Sequence, residues 1–311
     1  MKKRFLVAAM AATLVSPLAA QADVSVYGIA HLGLIDVDTA DGLDVYSATS
    51  ALGFKGKEDL GGGMTAFFKV ETDVNMDDST NASSSLNLRN AYVGLKGGMG
   101  SLKLGTVTTN YKSTGAKVDP LWRTPVEGRG LINTQSAMYH GGKADDRGRL
   151  TNAIKLASSK MGGMQVVFNY GANGSDTNAM GIGVHYKAKN VTAFVDYFDR
   201  DNLAGDSAMK VGGSYKMDAM TFSGQFESTD NDADTANDFI HLNGTFGVSD
   251  AGAVSVTFGQ ESDVSTGVAV AYVHTMSKRT SAYVGYGDVS EDSTGSITEN
   301  NAAAVGIRHK F

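Results

Sequence analysis

The segment 216–227 reads KMDAMTFSGQFE, a short polar turn followed by alternating apolar and polar side chains. From residue 220 the even positions are Met, Phe, Gly and Phe, and the odd positions are Thr, Ser, Gln and Glu. Because successive side chains of a β-strand point to opposite faces, this strand has one apolar face and one polar face. Similar alternation returns at 164–170, 182–187, 240–246 and 305–311. The pattern predicts a sheet with one face toward an apolar medium and the other toward water.

The connections between these segments differ regularly in length. Tight, Gly-rich or polar turns occur at 58–63, 97–100, 161–163 and 216–219, and longer stretches rich in Asp, Asn, Ser and Thr occur at 36–46, 75–85, 173–178, 229–237 and 289–299. Short turns at one end and long loops at the other are typical of outer-membrane barrels, whose periplasmic turns are short. The rhythm therefore predicts an all-β transmembrane barrel.

Pairing each turn with a loop gives sixteen candidate strands. An even number of antiparallel strands places the first and the last strand terminus on the same, periplasmic side. The spans are 24–35, 49–57, 64–74, 87–96, 101–107, 150–158, 164–171, 180–187, 191–198, 208–216, 220–228, 238–247, 253–261, 267–275, 280–288 and 300–311. A soluble sandwich is the alternative, but the Lys, Glu, Gln, Asn, Thr and His of the inward face make a poor core. Sixteen strands enclose a lumen too wide for side chains to fill, which predicts an aqueous channel.

Composition narrows the function further. Residues 1–22 have a basic start, an apolar run from Phe5 to Leu14 and a small-x-small ending, which predicts a cleaved signal peptide. Without that segment 24 basic and 33 acidic residues remain, a net charge of −9, which disfavours nucleic acid as a partner. The chain has no cysteine, so disulfides and thiol chemistry are excluded. The barrel is predicted to comprise residues 23–311 as a single domain.

One connection breaks the rhythm. Residues 108–149 show no clear strand and hold the only tryptophan, Trp122, together with Pro120, Pro125 and many charges. Structureless loops of this length are usually functional. A wide barrel needs a narrowing element, so we expect this third external loop to fold into the lumen as a constriction. A surface lid that contacts lipopolysaccharide or a neighbouring subunit is the alternative.

Several stretches resemble the general diffusion porins of Gram-negative outer membranes. They are SVYG at 25–28, LGFKGKEDLGGG at 52–63, RNAYVGL at 89–95, GSLKLG at 100–105 and VGIRHKF at 305–311. The resemblance covers residues 23–311 and is most specific in the first hundred residues and the last strand. It implies a multi-pass outer-membrane homotrimer through which small hydrophilic solutes and ions diffuse passively. It also implies that Phe311 is the signal read by the barrel assembly machinery.

In such porins, basic residues on the barrel wall face acidic groups on the infolded loop. Arg89 stands where the family has a strand-four arginine, and Lys155 stands where it has a basic residue on strand six. Ala51 replaces an arginine that many relatives carry, so we expect weak ion preference of unknown sign. The pore and constriction candidates are Arg89, Lys155, Lys55, Lys57, Lys69, Lys103, Glu71, Asp119, Glu127, Asp145, Asp146, Arg147 and Arg149, with Glu227 as a further inward acid.

Other activities have weaker support in the sequence. The sequence has no Gly-x-Ser-x-Gly elbow and no compact His/Ser or His/Asp cluster, the patterns that would predict a hydrolase. We therefore expect no enzyme activity and no cofactor. The acidic run 230–238 lacks the Gly and Glu of an EF-hand loop, so no metal site is predicted there, although weak divalent-cation binding shared with lipopolysaccharide stays open. Aromatic residues near segment ends, Phe198 among them, are candidates for interfacial girdles. A substrate-selective channel or a loop-mediated binding or adhesion protein remains the alternative function.

Overall fold

The computed structural model describes residues 23–39, 42–77, 88–136, 148–172, 177–202, 207–230, 237–291 and 300–311. Within them the chain forms β-strands and a single short helix, α1. The bounds are β1 Asp23–Val37, β2 Leu43–Ser47, β3 Ala51–Gly61, β4 Met64–Asp73, β5 Leu88–Gly97, β6 Gly100–Thr108, α1 Asn110–Val118, β7 Arg149–Ser158, β8 Met164–Gly171, β9 Thr177–Lys187, β10 Val191–Asn202, β11 Ser207–Met217, β12 Met220–Asp230, β13 Asn237–Gly247, β14 Gly252–Glu261, β15 Ser265–Thr275, β16 Thr280–Glu291 and β17 Asn300–Lys310. The helix α1, the one helix in the described ranges, is not long and apolar enough to cross a membrane.

The strands close into one antiparallel barrel. From β3 to β17, each strand pairs with the next one in the sequence, and β1 pairs with both β3 and β17. β2 and β3 both lie against β1, with Leu32 opposite Ser47 and Ile29 opposite Ala51, so they are one strand interrupted at 48–50. Thr49 in the interruption has a φ of 60°, a conformation that a β-branched residue rarely adopts. Counted in this way the barrel has sixteen strands, which confirms the predicted fold class.

Each of the sixteen predicted spans overlaps one observed strand. Two elements were not predicted: β2, which shortens the first long connection to 38–42, and α1, which lies inside the stretch expected to lack regular structure. The connection between β14 and β15 is only 262–264, although it lies at the end with the longer loops. The predicted signal peptide at 1–22 lies outside the described residues.

The two faces of the wall differ as the alternation predicts. On β10, Val195 is 49% exposed while the next residue, Asp196, is fully buried. On β12, Phe226 is 42% exposed and Glu227 is fully buried. Apolar side chains therefore cover the outside of the barrel, and polar side chains, including ionisable ones, point inward.

Candidate functional site

A charged network occupies the inner face of β4 and β5. The Glu71 carboxylate lies 3.1 Å from Arg89 Nε and 2.8 Å from Lys69 Nζ, and it accepts a 2.8 Å hydrogen bond from the Tyr27 hydroxyl. Arg89 also reaches Asp73, with Nη1 and Oδ1 2.5 Å apart. The structure thus brings together three of the predicted wall residues, and Glu71 holds the two basic groups at fixed positions.

Lysines extend this charged face from β3 to β7. Lys55 stands opposite Lys69 in the register of β3 and β4, and Lys103 stands opposite Lys155 in that of β6 and β7. Lys55 and Lys69 lie 5.0 and 5.2 Å from the Tyr27 ring centre, and Lys103 lies 4.5 Å from that of Tyr92. Lys155 Nζ donates to the Thr108 carbonyl over 2.6 Å. We call Lys55, Lys69, Lys103 and Lys155 the lysine row.

Lys57 and Arg149 are the other predicted basic wall residues that the structure describes. Lys57 is exposed near the β3–β4 turn, beside a cavity of about 440 Å³ that Lys55 and Lys69 also line. Arg149 is buried at the start of β7, opposite Thr108 of β6. The predicted basic residues therefore occupy one continuous part of the barrel, from β3 to β7.

The segment 109–136 is attached to the opposite side of the barrel. Asp196 of β10 accepts hydrogen bonds from Asn110 Nδ2 at 2.5 Å and from Thr114 Oγ1 at 2.6 Å. His185 Nε2 lies 2.9 Å from the same carboxylate. Since Asp196 is fully buried, these donors compensate a charge that would be costly to bury alone. Asp196 and His185 fix α1 to the wall, and neither was singled out from the sequence as a site residue.

A second buried carboxylate attaches the segment at both of its ends. Glu227 of β12 accepts a 2.7 Å hydrogen bond from the Tyr111 hydroxyl and also accepts from the Ser136 hydroxyl. Lys210 of β11 donates to the Tyr111 carbonyl over 2.6 Å, and its Nζ lies 3.9 Å from the centre of the Tyr111 ring. Glu227, predicted only as an inward acid, therefore joins α1 to the end of the segment.

Apolar packing completes the attachment. Val126 and Ile132 are fully buried against Ala269 and Ala271 of β15. A Cβ added at Gly267 would lie 1.8 Å from the Ile132 carbonyl oxygen, so only glycine lets the segment approach the wall this closely. Farther along, the Thr134 hydroxyl lies 2.8 Å from Nδ1 of His241, a residue of β13.

The segment's own acids bind its own backbone. Asp119 accepts from the amides of Leu121 at 2.9 Å and Gly128 at 2.8 Å, and it is buried. Glu127 accepts from the Arg123 amide at 2.7 Å and from Arg129 Nε at 2.6 Å. Burial raises the pKa of Asp119 to about 6 and also raises the pKa of Glu127. Both predicted loop acids thus stabilise the shape of the segment.

The segment adds basic groups next to Arg89. Burial lowers the pKa of Lys112 to about 6, and the charges of Arg149, Arg129 and Arg89 lower it further. Burial also lowers the pKa of Arg123 to about 9, with Arg89 and Arg308 contributing in the same direction and Glu71 opposing them. The cations of the segment and of the wall therefore lower one another's pKa. We call Arg89, Lys112, Arg123, Arg129, Arg149 and Arg308 the cationic cluster.

The remaining predicted residues have separate positions. Phe311 exchanges two 3.1 Å backbone hydrogen bonds with Gly28, and its ring covers that glycine. Phe198, a candidate for the interfacial girdle, is fully buried and packs against Tyr111 with ring centres 6.2 Å apart. That prediction is wrong, because residue 198 has the same strand parity as inward Asp196. Asp145, Asp146 and Arg147 lie outside the described residues.

Comparison with known proteins places these features in a family. The family model for the Gram-negative porins matches residues 7–294. Major outer membrane protein P.IB of Neisseria meningitidis serogroup B is 27% identical, with all of both chains aligned. Over 38% of this chain, P.IB of Neisseria gonorrhoeae is 32% identical.

Solved structures agree in fold. The anion-selective porin from Comamonas acidovorans superposes with a TM-score of 0.80 at 21% identity, covering 94% of this chain and 100% of that one. OmpF of Salmonella typhi gives a TM-score of 0.76 at 15% identity, covering 93% and 97%. The family match, the barrel with an apolar exterior and the charged interior lead to one conclusion: this chain belongs to the Gram-negative porins and forms a diffusion channel in the outer membrane.

Proposed function

We propose that this porin passes small hydrophilic solutes through a lumen that the segment 109–136 narrows, and that it favours anions over cations. The observation that carries the proposal is the cationic cluster, which combines wall and segment residues around Arg89. The segment supplies Lys112, Arg123 and Arg129, and the wall supplies the rest.

The attachment of 109–136 supports its role as the constriction. Its hydrogen-bond partners Asp196, Glu227 and His241 all belong to the inward-facing set of wall residues. A segment held on that face reduces the open cross-section by its own thickness. The buried contacts hold the segment against the wall at β10, β12, β13 and β15.

The balance of charge supports the preference for anions. Five arginines of the cationic cluster carry its charge at neutral pH, since the pKa of Lys112 is lowered to about 6, and the acids near Arg89 are Glu71 and Asp73. The acids of the segment, Asp119 and Glu127, accept hydrogen bonds from its own backbone amides, and Glu127 offsets one cation of the cluster by pairing with Arg129 over 2.6 Å. Charges at a narrow point set which ions pass, because the surrounding wall is low in dielectric. The anion-selective character of the Comamonas acidovorans porin is consistent with this direction.

Reversal potentials in planar bilayers test the preference. With a KCl gradient we expect a potential whose sign corresponds to chloride permeating faster than potassium. The double variant Arg123→Gln/Arg129→Gln should move the potential toward the cation side. A control variant, Lys189→Gln, removes a lysine in the short β9–β10 turn and should leave it unchanged. A cation-selective parent channel would contradict the proposal.

We further propose the assembly and processing that the resemblance implies. The chain forms a homotrimer in contact with outer-membrane lipid and lipopolysaccharide, after removal of residues 1–22 as a signal peptide. OmpT of Vibrio cholerae has a trimer form and superposes with a TM-score of 0.71. Light scattering in detergent should give three chains per particle, and N-terminal sequencing of the exported protein should begin at Asp23.

We propose that the activity of the protein is transport and not catalysis. We also propose that Phe311 is the residue recognised by the barrel assembly machinery. The Phe311 ring covers Gly28 across the seam between β1 and β17, so its removal also exposes the closing pair of strands. Phe311→Ala should lower the amount of folded barrel in the outer membrane. Refolding of the same variant in detergent should be affected less, which separates recognition from stability.

A further inference from the structure

A second group of basic residues surrounds a cavity beside β7, the strand that carries Lys155 at the end of the lysine row. The cavity measures about 450 Å³ and lies between the end of α1 and the inner face of β8 to β11. Lys117, Lys160, Lys187 and His185 contribute its basic groups. None of these four belongs to the cationic cluster.

Three elements of the chain supply the lysines. Lys117 is in the last turn of α1, Lys160 is in the short β7–β8 connection, and Lys187 ends β9. Short connections of outer-membrane barrels face the periplasm, so the cavity lies toward the periplasmic mouth. It exists only because α1 is held against the wall, since without Lys117 and α1 the site would be an open surface.

The lysines make no direct ion pair in the described part of the chain, although the buried Asp196 carboxylate, 2.9 Å from His185 Nε2, acts on Lys117. Their ammonium groups form no hydrogen bond or ion pair with the described residues, and no carboxylate is among the described residues that line the cavity. Burial lowers the pKa of Lys117; Asp196 opposes that effect, while the charges of Lys187 and Lys160 add to it. The three cations therefore repel one another, and an anion between them would relieve that repulsion.

Neutral polar groups surround the cations. The Thr192 and Ser214 hydroxyls lie 2.7 Å apart on neighbouring strands, and Gln165 Nε2 donates to the Ser158 carbonyl over 2.8 Å. Hydroxyl groups donate hydrogen bonds to oxyanions, and lysine binds phosphate as a point charge. The volume falls in the range of small-molecule sites, about 300–1,000 Å³.

We propose that this cavity is a binding site for a multivalent oxyanion that enters from the periplasmic side, with Lys117, Lys160 and Lys187 as its charged ligands. The site is distinct from the anion preference of the open channel, which rests on the cationic cluster. It requires the contact between α1 and the wall but not a particular sign of ion selectivity.

Equilibrium binding tests the site directly. Pyrophosphate is titrated calorimetrically into the detergent-solubilised porin at low salt, with monovalent chloride as the comparison anion. We expect saturable binding of pyrophosphate. Removing one lysine should weaken the affinity for pyrophosphate about fivefold, the effect of one unit charge at about 4 Å in water-like surroundings. The double variant Lys160→Gln/Lys187→Gln should weaken the affinity by the product of the two single effects. Absence of saturable binding to the parent would overturn the proposal.

Two further variants locate the anion. Lys189→Gln changes a lysine two residues from Lys187 that does not line the cavity, and it should bind pyrophosphate like the parent. Lys55→Gln/Lys103→Gln removes charge from the lysine row and should also retain binding. If the lysine-row variant loses binding while Lys160→Gln/Lys187→Gln keeps it, the anion binds at the lysine row and the proposal is wrong.

The conductance of each variant in KCl separates this proposal from that of the channel. Lys160→Gln/Lys187→Gln should conduct like the parent, because its substitutions leave the cationic cluster intact. Loss of pyrophosphate binding with normal conductance supports the site. Normal binding in a channel that prefers cations would leave the site standing and contradict only the selectivity proposed above.

Discussion

The two sides of the inner wall use buried charge in opposite ways. From β3 to β7 the lysine row and Arg89 outnumber the carboxylates that pair with them, Glu71 and Asp73, and three of the four lysines lie over aromatic rings. From β9 to β13 the carboxylates Asp196 and Glu227 are fully buried and bind the segment 109–136. In the proposed function one side presents cations to solutes, and on the other side buried carboxylates bind a piece of the chain.

The difference follows from the cost of burying charge. A buried carboxylate without donors is strongly unfavourable, so Asp196 and Glu227 each need the donors that the segment 109–136 brings. Lys55 and Lys103 lie over aromatic rings, which stabilise a cation without a paired carboxylate. The comparison leads us to propose that structural and permeation roles of ionisable residues are separated around the barrel circumference, and the variants below perturb one side or the other.

The largest effect is expected from loss of an anchoring carboxylate. Asp196→Ala removes the acceptor for Asn110 and Thr114 and leaves His185 without its partner. Breaking a buried charged network by removing one partner costs about 3–5 kcal/mol, enough to detach α1. We expect a larger and noisier single-channel conductance, together with faster amide exchange at 110–118.

Asp199→Ala provides the matched control on the same strand. The Asp199 carboxylate accepts a 2.7 Å hydrogen bond from the Tyr197 hydroxyl and has no described contact with the segment. The conductance of the Asp199→Ala variant and its amide exchange at 110–118 should equal those of the parent. If Asp196→Ala and Asp199→Ala behave alike, the wall carboxylates do not hold the segment in place.

How much of this arrangement could be predicted from sequence depends on the range of the interaction. Alternation along a strand is local, so segments such as 220–227 indicated both the barrel and the inward position of Glu227. The contact of Asn110 with Asp196 joins residues 86 positions apart, and only the strand order and register bring them together. The available signal was a polar residue inside an apolar run, Val195-Asp196-Tyr197, and inward glycines such as Gly267.

The same reasoning explains the misses in secondary structure. The helix α1 begins at a Thr109 cap whose hydroxyl accepts from the Lys112 amide at 3.0 Å, but its sequence NYKSTGAKV has a central glycine and poor helix propensity. Its stability comes from Tyr111 packing against Phe198. Tertiary contacts of this kind override local propensity, so the helix was not predictable from its own residues.

A smaller effect is expected from steric displacement on the anchoring side. Gly267→Val places a branched side chain where the Ile132 carbonyl lies 1.8 Å from the Cβ position. Overpacking typically costs about 1–3 kcal/mol, and here the segment can relieve it by moving away from β15. We expect lower thermal stability and altered conductance. Gly98→Ala, where no atom lies within 4 Å of the added Cβ, should leave both quantities unchanged.

On the other side of the barrel, Arg89→Ala should change selectivity while retaining the fold. A unit charge about 4 Å from a permeating ion contributes about 1 kcal/mol in water-like surroundings, or about fivefold in local occupancy. The ratio of chloride to potassium permeability should therefore fall by about that factor in reversal-potential measurements. Glu71→Gln removes the opposing charge and should raise the ratio. A change of equal sign in both variants would indicate a loss of structure rather than of charge.

The smallest effect is expected from pH, because the groups involved are buried in the segment that joins the two sides. The pKa of Lys112 is lowered to about 6 and that of Asp119 is raised to about 6. Acidification from pH 8 to pH 5 therefore protonates both, so Lys112 gains a positive charge and Asp119 loses a negative one. Both changes make the segment more positive.

The preference for anions should accordingly increase as the pH falls through about 6, by less than the roughly fivefold effect of a charge in direct contact with the ion. The comparison of the parent with Lys112→Met isolates one of the two groups. That variant cannot gain the ammonium charge, so its permeability ratio should respond less to pH, while its ratio at pH 8 should match that of the parent. An identical pH response in both would mean that Lys112 already carries its charge at pH 8. The segment would then contribute a constant field to the lumen, and its charge would not depend on pH through Lys112.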